Sequence, residues 1–169
     1  MLVASATSIR SDYRSCMPTP HPSRHLEDFQ VGQRFVSGTY TMTEAEIIKF
    51  AREFDPQPFH LSEADGKNSL FGGLVASGWH TASIAMRLML DGELQIAGGA
   101  IGGGGELQWT KPVRPGDTLQ LHSEVLEVTP SRRHPDRGSI VVRSEVRDQR
   151  GEVVQVFTAR MIAPRRILG

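Results

Sequence analysis

The stretch Phe54-Asp55-Pro56-Gln57-Pro58-Phe59-His60 puts a carboxylate and an imidazole five positions apart on a segment stiffened by two prolines. Each proline fixes its own φ and disfavours helix in the residue before it, so Asp55 and Gln57 are biased towards extended backbone. With few shapes open to the segment, the chain itself limits the distance between the two groups. A carboxylate and a histidine held together suit activation of water by acid–base chemistry. The same spacing also suits a purely local role, in which Asp55 ends one helix and His60 caps the next.

The elements on either side must hold this pair. Upstream, Arg34 to Met42 alternates loosely and is rich in strand-forming residues. Thr43-Glu44-Ala45-Glu46 is a capping box, and Ile47, Phe50, Ala51 and Phe54 then fall at i, i+3, i+4 and i+7. This spacing predicts a helix that delivers Asp55 from a packed last turn. Downstream, Ser62 is placed to cap a short helix reaching about Ser69. Ser77 to Leu90 carries one formal charge, Arg87, and apolar groups on nearly every face. Such a segment is buried in protein or membrane. At about 14 residues it is too short to span a bilayer, so it is expected in the core. Ser77 is a candidate N-cap. Free N–H groups at a helix start attract negative charge, and Gly78 has no side chain to keep a ligand away. Equally, Gly78 serves close packing and nothing more. His80, in the same first turn, is a candidate pocket or core residue.

The remainder reads as strands. Gly98 to Gly105 lacks the GK[ST] ending of a phosphate loop and does not complete GxGxxG. Close passage of another backbone, or an interface, accounts for its glycines better. Alternation resumes at Glu106 to Thr110, and Lys111 to Asp117 is a turn. Three strands follow, Thr118 to Val128, Ser139 to Arg147 and Glu152 to Ile162. A change of parity at Leu126 points to a bulge. Arg132, Arg133 and Arg137 fall at a solvated loop tip. One strand, two or three helices and then about four antiparallel strands make an α+β arrangement. A sheet curled around the apolar helix would explain that helix's lack of a polar side.

Composition narrows the function classes. The chain of 169 residues fits one domain with a real core. Its formal net charge of +0 argues against a nucleic-acid binder. One cysteine, Cys16, excludes an internal disulfide and a cysteine-based zinc site, and the six histidines show no metal-ligand spacing. No apolar run is long enough to cross a membrane. Residues 1–24 are rich in Ser, Thr, Pro and Arg, make a poor signal peptide, and are expected to be an extension that packs poorly or rests on a partner. The domain proper is expected over 25–169, in the cytoplasm.

Order and motifs together resemble the MaoC-like dehydratases, which include the (R)-specific enoyl-CoA hydratases. Three stretches between about residues 26 and 163 carry the resemblance: FDPQPFH, FGGLVASGWHTASI and WTKPVRPGDTL. The resemblance implies a hot-dog fold, a single domain in which a curved antiparallel sheet wraps a long helix, normally paired into homodimers or higher homo-oligomers. It assigns catalysis to Asp55 and His60 and an oxyanion-binding N–H to Gly78. Substrate contacts are expected from Gln57, Pro58, Ser77 and Trp79. Gln57 stands where the family usually has Asn, Ser77 where a His is common, and Met86 where some hydratases have a serine that orients the Asp. The implied reaction is reversible hydration of a trans-2-enoyl-CoA to a 3-hydroxyacyl-CoA. It needs no metal and no cofactor beyond the coenzyme A carried by the acyl-CoA substrate. A thioesterase on the same fold and a non-catalytic acyl-thioester-binding subunit are the alternatives.

Overall fold

The computed structural model describes residues 23–166. The expectation for residues 1–24 therefore falls, up to residue 22, outside the described residues. At its end Arg24 is held in place. Its N–H donates to the Gln95 carbonyl at 2.8 Å, and its guanidinium lies 5.1 Å from the Phe35 ring centroid.

Five strands, β1 (Arg34–Thr41), β2 (Ile101–Trp109), β3 (Thr118–Pro130), β4 (Arg137–Arg147) and β5 (Val153–Pro164), form one antiparallel sheet in the order β1-β3-β4-β5-β2. Strands β3, β4 and β5 follow one another as hairpins. Strands β1 and β2 lie at opposite edges, so the chain between them must cross one face of the sheet. That crossing carries the four helices, α1 (Glu44–Phe54), α2 (Pro58–Leu61), α3 (Glu63–Lys67) and α4 (Gly78–Asp91). This is the expected α+β arrangement.

The alternation of β3 works as read. Leu119, Leu121, Ser123 and Val125 point into the core, and the register shifts between Val125 and Glu127. Ile140, Val142 and Val146 of β4 and Val154, Met161 and Ala163 of β5 complete the inner face. Strand β2 starts within the glycine run, earlier than expected. A Cβ at Gly105 would lie 2.5 Å from the Thr158 carbonyl oxygen of β5, which is the close backbone approach anticipated there, whereas Gly102 and Gly104 face open space.

Helix α1 begins with the capping box. The Glu46 N–H donates to Thr43 Oγ1 and the Thr43 N–H to Glu46 Oε2, both at 3.3 Å. Ile47 and Ala51 are fully buried, but Phe54 is 70% exposed. The apolar stripe leaves the core in the last turn, where the chain swings out to Asp55 and Pro56. Two other helices differ from expectation. Pro58, whose fixed φ suits a first helical position, starts the four-residue α2, so His60 lies inside that helix and does not cap the next one, which Ser62 caps. Helix α3 stops at Lys67, two residues short of Ser69.

Helix α4 is buried along one side only. His80, Thr81, Ile84, Ala85, Leu88 and Met89 face inward, while Trp79, Met86 and Leu90 are 61%, 46% and 42% exposed. The expectation of an all-round buried helix is thus corrected: α4 packs mainly on α1, β1 and β3, and among the described residues Trp79, Met86 and Leu90 on its other side stay exposed. Among the described residues, no helix is long and apolar enough to cross a membrane.

His80 is a core residue. It stacks on Phe50 with ring centroids 4.6 Å apart, and its buried Nδ1 has no hydrogen-bond partner among the described residues. Burial holds its pKa below the ordinary value, against the pull of the Glu46 carboxylate. Its contribution to stability is therefore full above the unfolded value of about 6.5 and is lost as pH falls through the lower folded value. Urea unfolding between pH 7.5 and 5 should show stability falling with pH. His80→Phe, which keeps the stacking, should reduce that slope and leave the share of His122, also held low by burial and by Arg147. An unchanged slope would contradict the assignment.

Candidate active site

Asp55 is the C-cap of α1, and its N–H donates to the Ala51 carbonyl at 2.9 Å. Extended backbone at Gln57 then leads into α2, and the His60 N–H returns to the Gln57 carbonyl at 2.9 Å. This short path turns both side chains towards the start of α4. The His60 imidazole is buried, with Nδ1 2.8 Å from the Val75 carbonyl oxygen. A carbonyl can only accept, so Nδ1 carries the hydrogen and Nε2 is the free ring position. Nε2 lies 3.4 Å from Asp55 Oδ2.

Two neutral groups hold the Asp55 carboxylate. Ser77 Oγ donates to Oδ2 at 2.6 Å, and Gln57 Nε2 donates to Oδ1 at 2.8 Å. Burial pushes the Asp55 pKa up, but the bonds from Ser77 and Gln57 and the nearby His60 outweigh it. The group ends below the ordinary carboxylate value and is ionised near neutral pH.

Ser77 caps α4, its Oγ accepting the Trp79 N–H at 3.2 Å. The Gly78 N–H, in the first turn and at the positive end of the helix, donates to no acceptor among the described residues. The Trp109 ring lies against this glycine, where a Cβ would come within 2.6 Å of it. Trp109 is itself fixed by Trp79, edge to face at 5.2 Å, and by donation from Nε1 to Gln155 Oε1 at 3.1 Å.

Asp55, Gln57, His60, Gly78, Trp79 and Trp109 all line one cavity of about 510 Å³. Trp79 also lines a second, largely apolar groove of about 470 Å³ between the open side of α4 and strands β2 and β5. Of the residues expected to touch a substrate, Gln57 and Trp79 reach the cavity. Ser77, only 1% exposed, and Pro58, exposed at the start of α2, are not among the residues that line it. Sequence reasoning missed the Val75 carbonyl. Its role is played by the backbone, so side-chain identity carries no signal for it. The placement of Trp109 over Gly78 was equally out of reach, because it depends on β2 lying beside α4.

Comparison with known proteins agrees with this architecture. Residues 28–147 match the family model described as MaoC like domain. The chain is 34% identical to the uncharacterized protein YdeM of Bacillus subtilis over 111 residues, which are 63% of this chain and 77% of that protein. It is 30% identical to the 3-hydroxybutyryl-CoA dehydratase of Methylorubrum extorquens over 110 residues, 64% of this chain and 68% of that protein. The crystal structure of the MaoC-like dehydratase from Rhodospirillum rubrum superposes with a TM-score of 0.84 at 51% identity, covering 86% of this chain and all (100%) of that one. The unliganded R-hydratase PhaJ1 from Pseudomonas aeruginosa gives 0.67 at 27% identity, over 84% and 86% of the two chains. With the strand order, the crossing helices and this match over most of the sheet, the chain is a hot-dog domain and belongs to the MaoC-like family.

Proposed function

We propose that the protein is an acyl-thioester hydro-lyase that reversibly hydrates a trans-2-enoyl-CoA to a 3-hydroxyacyl-CoA. The observation that carries this reading is the pairing of Asp55 Oδ2 and His60 Nε2 at 3.4 Å in a cavity shared with the start of α4. One water can touch both groups. With Nδ1 committed to Val75, His60 presents a basic Nε2, and Asp55 presents an ionised oxygen. As the water oxygen bonds C3, one water proton passes to the pair, and the pair delivers a proton to C2. One water is thereby divided across the double bond and both side chains return to their starting states. Negative charge that develops on the thioester oxygen meets the Gly78 N–H. A preorganised donor of this kind is worth about 2.7–4 kcal/mol. The chemistry calls on no metal or redox group, and coenzyme A enters with the substrate. The activities named for the M. extorquens relative and the P. aeruginosa structure support the same class.

The substrate side fits an acyl thioester. The cavity rim carries Lys111, and the apolar groove beyond Trp79 suits a hydrocarbon chain. That groove lies beside an unpaired edge of β2 and the exposed residues Ile101, Met86 and Leu90. We propose that a second copy of the chain covers this face. Sedimentation equilibrium should then read twice the mass of the chain, and a monomer at micromolar concentration would refute the pairing.

Purified protein should hydrate crotonyl-CoA or a longer trans-2-enoyl-CoA, read as loss of the conjugated thioester absorbance. Asp55→Asn and His60→Gln should each lower kcat by about 10²–10⁴-fold while remaining folded. Release of free coenzyme A, detected with a thiol reagent, would identify a thioesterase instead. Full rates in both variants would remove the pair from the mechanism.

A further inference from the structure

We infer that Ser77 is a positioning residue serving both halves of the site, its one hydroxyl tying the Asp55 carboxylate to the first turn of α4 that contains Gly78. The consequence for rate rests on the hydro-lyase reading; the hold on Asp55 does not. Ser77 Oγ donates to Asp55 Oδ2 at 2.6 Å and accepts the Trp79 N–H at 3.2 Å. A hydroxyl has one hydrogen. At 1% exposure Ser77 has little contact with solvent, so that hydrogen is committed to the carboxylate and a lone pair to the helix. The Ser77 carbonyl is also occupied, accepting the Thr81 N–H at 3.1 Å and the Thr81 hydroxyl at 3.4 Å. Ser77 is therefore a fixed post and not a side chain free to follow Asp55.

Gly78 lies between Ser77 and Trp79 in the chain, inside the small ring that the Trp79–Ser77 bond closes. The N–H proposed to meet the thioester oxygen and the carboxylate proposed to handle the proton are thus referred to one oxygen atom. Gln57, the other donor to Asp55, is exposed and lies on the extended stretch between Asp55 and α2. It can satisfy the carboxylate but does not link it to α4. Met86, one helical face away, lines the apolar groove and contributes no hydrogen bond.

The test separates capping from positioning. Glycine caps a helix nearly as well as serine, whereas alanine does not, and neither can donate to Asp55. Ser77→Gly should therefore unfold in urea closer to wild type than Ser77→Ala does. Both should lose kcat by about 10- to 100-fold, the scale of a displaced catalytic group, with KM changed less than threefold. Ser77→Thr, which keeps the hydroxyl, should recover most of the rate. Carbon-13 NMR of the Asp55 carboxyl, assigned by its absence in Asp55→Asn, should titrate at higher pH in Ser77→Gly than in wild type. Wild-type kcat together with an unmoved carboxyl titration in Ser77→Gly would overturn the inference. If no enoyl-CoA is hydrated by the wild type, the proposed function falls, and the carboxyl titration still decides whether Ser77 holds Asp55.

Discussion

The site depends on a contact between two helix ends that are distant in sequence. Asp55 closes α1, and Ser77 opens α4 22 positions later. A half-buried carboxylate without donors would be drawn towards its protonated form, since desolvation penalises the charged one. The N-cap of α4 supplies the donor, and a hydrogen bond to a charged group is worth roughly 1.5–3 kcal/mol net. The helix start in turn needs an acceptor for its early N–H groups, which the same serine provides. Each end meets a requirement of the other, so the relative placement of α1 and α4 and the electrostatics of the cavity follow from one arrangement.

Sheet topology brings the two helices onto one face. With β1 and β2 on opposite edges, the intervening chain has to traverse a face of the sheet, and α1 and α4 are the two long pieces of the traverse. The prolines at 56 and 58 then limit how the chain can leave α1, and α2 returns it at once. Glycine at 66 allows the compact return. A Cβ there would lie 2.3 Å from the Gly73 backbone, so α3 sits directly on the segment that leads to Val75 and Ser77. That segment delivers the carbonyl that fixes the His60 tautomer and, two residues on, the hydroxyl that fixes Asp55.

Much of this was legible in the residues, and the illegible parts share a physical cause. The capping box at Thr43, the β3 alternation with its bulge, the buried side of α4 and the acid–base spacing are all local patterns, and local patterns survive in a linear reading. Phe54 shows where such reading stops. Its place in the i+7 position is correct, but the core ends one turn earlier. The apolar character of α4 was read as burial all round, but Trp79, Met86 and Leu90 stay exposed among the described residues, because a linear reading cannot say which faces the sheet covers. Ser77 was visible as a cap. Its second bond was not, because nothing in the sequence states that the ends of α1 and α4 converge.

The departures from the family pattern at positions 57, 77 and 86 make sense together once the hydrogen bonds are in view. A glutamine at 57 has an arm long enough to turn back two residues and donate to Asp55 Oδ1. A serine at 77 is short enough to cap α4 and still reach Oδ2. With both carboxylate oxygens supplied by these two donors, a hydroxyl on the third turn of α4 would be redundant. Methionine at 86 is then free to extend the apolar lining of the groove, where a polar group would weaken contact with a hydrocarbon. What looks in the sequence like three separate losses is, in the folded chain, a single redistribution of donors around one carboxylate.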